Sequence, residues 1–139
     1  MKKSPRFLTI DEIAEIHATQ IRQSGGAGDL RDAAALESVT EAPRATFDGQ
    51  FLNRNVYEMA AAYLLGIVVN HPFLDGNKRA GAASAFVFLF INGVMLNASE
   101  SDFYKTVIAV ARGQLQKRGI ADFLRRNSFR FADFPFPGK

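Results

Sequence analysis

Two apolar stretches and the polar segment between them constrain this chain more than any other feature. Ala60-Ala61-Ala62-Tyr63-Leu64-Leu65-Gly66-Ile67-Val68-Val69 is apolar on every side of a helix, and Ala80 to Leu96 carries no charge over 17 residues. A helix without a polar face has to be buried. A membrane span does not fit the second stretch. It is too short, Asn92-Gly93 breaks it, and Asp75, Lys78 and Arg79 lie just before it. The pattern therefore predicts a central pair of core helices, 55–70 and 78–92, joined by His71-Pro72-Phe73-Leu74-Asp75-Gly76-Asn77-Lys78-Arg79. Polar groups at the junction of buried helices are costly unless they are satisfied or used.

Taken singly, these nine residues are ordinary turn composition. Taken in order, they form a chemical set. His71 can accept a proton near neutral pH. Asp75 is a hard oxygen ligand, suited to Mg²⁺ shared between a carboxylate and phosphate oxygens. Gly76 lets an anion approach the backbone. Asn77 is a good N-cap, and the N–H groups after it point outward unpaired, reinforced by the helix dipole. Lys78 and Arg79 add full positive charge, Arg79 with planar bidentate geometry. The set reads as a site for a Mg²⁺-bound polyphosphate with a base beside it, which points to transfer of a phosphate-containing group to a hydroxyl.

The string resembles the signature of the Fic/Doc superfamily, His-x-Phe-x-Asp/Glu-Gly/Ala-Asn-Gly/Lys-Arg, at every fixed position. Lys78 and the short length resemble the Doc (death-on-curing) branch, toxins of toxin–antitoxin pairs. Ser24-Gly25-Gly26, Leu30-Arg31-Asp32 and Leu36-Glu37-Ser38 are similar to the upstream part of that family. The resemblance implies an all-α Fic fold and an ATP- and Mg²⁺-dependent transferase acting on a protein hydroxyl. His71 would be the general base and Asp75 the metal ligand. Gly76, Asn77, Lys78 and Arg79 would bind phosphate, and Phe73 would face the core and hold the loop. A flap around Phe47, Asp48, Gly49, Phe51 and Leu52 would align the target by strand addition. Adenylylating Fic enzymes usually carry Gly at position 78 and a second Arg at position 82, where this chain has Lys and Ala. Both departures are shared with the Doc branch, whose members resemble kinases. The resemblance thus favours phosphorylation, with a translation elongation factor as the implied target. AMP transfer is the alternative, and a catalytically inactive binding module the second. No Ser or Thr is followed four residues later by Glu, so the inhibitory helix of many Fic proteins is missing. A separate antitoxin that folds on binding is the expected partner.

The rest of the pattern is helical nearly throughout. Thr9-x-x-Glu12 is a capping box. Ile10, Ile13, His17 and Ile21 follow at helical spacing until Gly25-Gly26 ends the helix. His17 lies on the apolar face and reads as a packing residue, with no partner motif around it. A second helix runs from Asp32 to about Glu41, stopped by Pro43. Arg44 to Asn53 breaks the period, and Asp48-Gly49 between Phe47 and Phe51 reads as a small hairpin. Further helices are expected over Ser99–Arg112, with Phe103, Val107 and Val110 on one side, and over Ile120–Arg126. Residues 129–139 lack periodicity and read as an irregular tail. The expectation is an all-α, compact single-domain bundle of about six helices with a small β-hairpin flap.

Composition narrows the rest. At 139 residues and 47% hydrophobic content this is one domain (1–139) with enough apolar surface for a core. The chain has no cysteine, which removes disulfide and thiolate-metal chemistry and fits a reducing cytoplasm. Met1-Lys2-Lys3-Ser4-Pro5 is basic without an apolar signal core behind it. A net charge of +3 suits an anionic ligand but is too small to argue for nucleic acid. The mixed segment Arg125-Arg126-Asn127-Ser128-Phe129-Arg130 reads as cations favoured at a helix C-terminus. There is no P-loop, and the glycines at 25–28 follow no strand, so no dinucleotide fingerprint is present. No His or Cys set completes a zinc site.

Overall fold

The computed structural model describes residues 4–132. Six α-helices carry the fold: α1 (Ile10–Ser24), α2 (Ala33–Glu41), α3 (Val56–Asn70), α4 (Asn77–Ile91), α5 (Glu100–Ala111) and α6 (Lys117–Arg126). A 3₁₀ turn, Ala42–Arg44, extends α2 through Pro43. Two small antiparallel sheets accompany them, β1 (Thr46–Phe47) with β2 (Gln50–Phe51) and β3 (Val94–Leu96) with β4 (Ser128–Arg130).

The helices begin where short polar side chains can cap them. Thr9 accepts from the Glu12 N–H at 3.1 Å while Glu12 accepts from the Thr9 N–H at 2.9 Å, which completes the capping box. Asp32, Asn55 and Ser99 cap α2, α3 and α5 with a side-chain oxygen that accepts from a first-turn N–H.

The core is organised around α3, which packs against α4, α6, α2 and α5. Met59, Ala60, Ala61, Tyr63, Leu64 and Ile67 are all buried, as a helix with no polar face requires. Two glycines let its neighbours close in. A Cβ on Gly66 would stand 2.8 Å from Val39 Cγ1 of α2, and one on Gly81 would stand 2.9 Å from Val68 Cγ2 and 3.2 Å from the Leu64 carbonyl. The α3–α4 approach at Gly81 fixes how the two ends that carry the polar segment face each other.

Tyr63 is the one fully buried phenol. Its oxygen accepts from the Leu8 N–H at 2.9 Å, and burial pushes its pKa up to about 12. Asn92 ends α4 and ties down the N-terminal segment. Its Oδ1 accepts from the Arg6 N–H at 2.9 Å, and its Nδ2 donates to the carbonyls of Arg6 and Phe88.

Two expectations need correcting. The tail was expected to be irregular from residue 129, yet Ser128–Arg130 is a strand, with Phe129 opposite Met95. Such a pairing joins segments distant in the chain and leaves no local period to read. Residues 133–139 lie outside the described part. The last helix starts at Lys117, not Ile120. Its first turn is polar and contains Gly119, so the apolar period is silent there. Lys117 instead donates to Asn53 Oδ1 at 2.6 Å. Among the described residues, no helix is long and apolar enough to cross a membrane.

Candidate active site

The site is built where α3 stops and α4 starts. His71 adopts the left-handed conformation (φ 51°, ψ 60°), and its N–H closes the last turn of α3 on the Ile67 carbonyl at 3.2 Å. Pro72 cannot continue a helix. A non-glycine residue in this region stores of order 1–3 kcal/mol, a strain that persists only where the surroundings hold it. Arg31 does so: its Nε donates to the His71 carbonyl at 2.5 Å and its NH2 to the Asn70 carbonyl at 2.8 Å. A cation on the last carbonyls of α3 also suits the helix dipole. The imidazole itself is exposed.

Phe73 is buried at 3% exposure, as expected, and fixes the middle of the loop. Its backbone bridges to Leu30, and its ring stacks on His17 with centroids 3.7 Å apart and planes 4° from parallel. His17 Nε2 lies 2.7 Å from the Asp75 carbonyl. The imidazole taken from sequence as a packing residue without a partner motif thus packs on the motif itself.

Asn77 departs from expectation. Gly76 is the N-cap of α4, in the left-handed conformation (φ 76°), and Asn77 is the first helical residue. Its amide turns back onto the loop: Oδ1 accepts from the Phe73 N–H at 3.1 Å and Nδ2 donates to the Phe73 carbonyl at 2.8 Å. Nδ2 also comes within 3.5 Å of His71 Nδ1, a close approach that limits how the base can turn. Asn77 is therefore a strut of the loop. The N-cap is a glycine, so no side chain caps α4 and the N–H groups of its first turn have no capping acceptor. Gly76 is required twice over. Its φ is positive, and a Cβ there would stand 3.1 Å from Ile21 Cδ1 and 3.3 Å from an Arg79 nitrogen.

The charged groups surround that open helix end. Asp75 is exposed, and its Oδ2 accepts from the Ala27 N–H at 3.3 Å. A Cβ on Gly26 would fall 3.2 Å from the same oxygen, so the Gly26 position leaves room beside the carboxylate. Lys78 is exposed and makes no hydrogen bond or ion pair among the described residues. Arg79 is also exposed, but its NH2 donates to the Gly25 carbonyl at 3.0 Å. Among the described residues, no three His, Cys, Asp or Glu side chains converge as a metal cluster.

Residues 25–32 form the other wall. The N–H groups of Arg31 and Asp32 both donate to the Pro72 carbonyl, and the Leu74 N–H donates to the Asp29 carbonyl at 3.0 Å. Sequence reading located this stretch but gave it no role. The contacts join backbone to backbone, which no side-chain pattern reveals.

The hairpin expected at 44–53 is present. Thr46 pairs with Phe51 and Phe47 with Gln50, and Asp48 and Gly49 both have positive φ (54° and 79°), as a tight primed turn demands. Phe51 anchors it edge-on against Phe7 at 5.5 Å, while Phe47 and Leu52 point into solvent at 75% and 58% exposure.

A profile of the Fic/DOC family matches residues 7–89, more than half of the chain and the whole of this site. The chain belongs to the Fic/DOC family. Within it, "Protein kinase doc" of Escherichia phage P1 is 28% identical over 121 residues, covering 87% of this chain and 94% of the relative. "Toxin Doc" of Mycolicibacterium smegmatis is 40% identical over 74 residues, covering 53% of this chain and 57% of the relative.

Proposed function

We propose that this Fic/DOC protein is a cytoplasmic toxin that phosphorylates a hydroxyl side chain of a target protein, using ATP. The observation that carries the proposal is the convergence of three features: an exposed imidazole held in a strained backbone, an exposed carboxylate, and an uncapped helix end beside an unpaired lysine. The printed names of the two relatives, a protein kinase and a toxin, agree with it.

The residues fit a nucleotide carrying Mg²⁺. Mg²⁺ is usually held by one or two carboxylates and by phosphates and waters, so the single carboxylate of Asp75 fits it without a cluster of protein ligands. The space beside the Asp75 carboxylate is left by Gly26, where a Cβ would stand 3.2 Å from Asp75 Oδ2. Once bound there, the ion would neutralise charge on the phosphate oxygens.

His71 takes the proton of the target hydroxyl. The hydroxyl oxygen forms a bond to the γ-phosphorus, and the bond from that phosphorus to the β–γ bridging oxygen breaks. ADP departs with the electron pair. The N–H groups of the first turn of α4, with Lys78 and Arg79, stabilise the charge on the transferring group. Arg79 reaches it by leaving the Gly25 carbonyl. Asn77 and Phe73 keep His71 and Asp75 in register. The hairpin presents the target segment, with Phe47 and Leu52 as its exposed apolar contacts. A translation elongation factor is the proposed target, and a separate antitoxin the proposed restraint.

His71→Ala tests the assignment of the base. The variant should bind ATP–Mg²⁺ like the parent and transfer the phosphoryl group at least about a hundredfold more slowly. Equal transfer rates would remove His71 from the chemistry.

A further inference from the structure

We infer that His17, on α1, is a positioning residue for Asp75: it donates from Nε2 to the Asp75 carbonyl and so sets where the carboxylate meets the metal. The inference rests on Asp75 being the Mg²⁺ ligand, as proposed above.

A carbonyl oxygen only accepts, so at 2.7 Å the His17 Nε2 carries the hydrogen. The ring is 2% exposed, and burying an imidazole costs solvation that a leucine in the same volume would not lose. The bond to Asp75 offsets that cost. The same ring stacks flat on Phe73, so one side chain holds the loop at residues 73 and 75. Between them Leu74 is held from the opposite wall by its bond to Asp29. The three residues before Gly76 are thus pinned from two elements.

The Asp75 carboxylate has little else to hold it. Its side chain is exposed, and its contact with the Ala27 N–H is long at 3.3 Å. Its direction depends on the backbone that carries it. Mg²⁺ demands near-ideal octahedral geometry, so a small displacement of one ligand is felt in affinity. Partners that orient a metal ligand typically change metal affinity about 10–100-fold when removed.

The test compares the parent with His17→Leu, His17→Gln and Asp75→Asn. ATP binding is measured by calorimetry without metal and along a Mg²⁺ titration, and thermal melting is followed in parallel. His17→Leu should keep a cooperative melt and parental metal-free ATP binding. Its half-effective Mg²⁺ concentration should rise about 10–100-fold. His17→Gln, whose amide can donate from the Nε2 position, should recover most of that loss. A parental Mg²⁺ response in His17→Leu would overturn the inference. So would an equal loss of ATP affinity with and without metal, an absence of recovery in His17→Gln, or unfolding of either variant, since each would make the ring only a part of the core. Asp75→Asn separates this from the underlying reading. If it loses the Mg²⁺ response while His17→Leu keeps it, only the role of His17 fails. If Asp75→Asn responds to Mg²⁺ like the parent, the metal-ligand assignment itself falls.

Discussion

At the scale of single residues, the side chains that matter most are those bonded to the backbone. Tyr63 is the clearest stability case. Its pKa is pushed up to about 12 by burial, so the folded state keeps the phenol protonated longer than the unfolded chain, where it titrates near 10. The stabilisation is fully present below about pH 10 and is lost as pH rises towards 12, and is on the order of 3 kcal/mol over that window. Tyr63→Phe should therefore be less stable at neutral pH, because the buried Leu8 N–H loses its acceptor, at a cost of about 1–3 kcal/mol. It should also show a flatter decline between pH 10 and 12. Urea melts across that range check both, and parallel declines in the two proteins would contradict the assignment. The family motif at residues 71–79 could be read from sequence because it lies in the order of residue types. The use of Asn77 could not: capping a helix and bracing a loop call for the same amide, and only the left-handed Gly76 decides between them. His17 was hidden for a related reason. On an apolar stripe an imidazole reads as filler until the element packed against it is known.

At the scale of elements, the α3–α4 pair sets the distance between His71 and the first turn of α4, the proposed base and the proposed phosphate-binding end. Gly81 controls it. A methyl group there would press to 2.9 Å on Val68 and 3.2 Å on the Leu64 carbonyl, and a backbone carbonyl cannot swing aside. Overpacking of this kind costs about 1–3 kcal/mol, against a gain of about 1 kcal/mol in helix propensity. Gly81→Ala should lower the melting temperature by several degrees and slow transfer, since His71 and Lys78 ride on the two helices it separates. A parental melting temperature would show that the close approach has slack. Helices with strong caps and one-sided apolar periods, such as α1, α2 and α5, were legible from sequence to within a residue or so. The hairpin was legible because Asp-Gly demands its turn. β3 and β4 were not, because each is short and only the distant partner makes it a strand.

At the scale of the whole molecule, family membership and an exposed site lead to a prediction for the cell. The sequence has no Ser/Thr-x-x-x-Glu pattern, and on the proposed toxin reading restraint is expected from a separate protein. Expression alone should arrest growth, and the product of a neighbouring gene should restore it. Unimpeded growth of cells containing active enzyme would contradict the toxin reading. The central claim is the identity of the group transferred, and it turns on Lys78. Its ammonium stands beside the helix end where adenylylating relatives have a bare glycine, so it should hold a terminal phosphate against His71. The direct measurement incubates the protein with cell extract and Mg²⁺ in parallel with γ-labelled and α-labelled ATP. The account predicts label on a target protein from γ-labelled ATP and none from α-labelled ATP. Label from α-labelled ATP alone would contradict it and establish AMP transfer in its place.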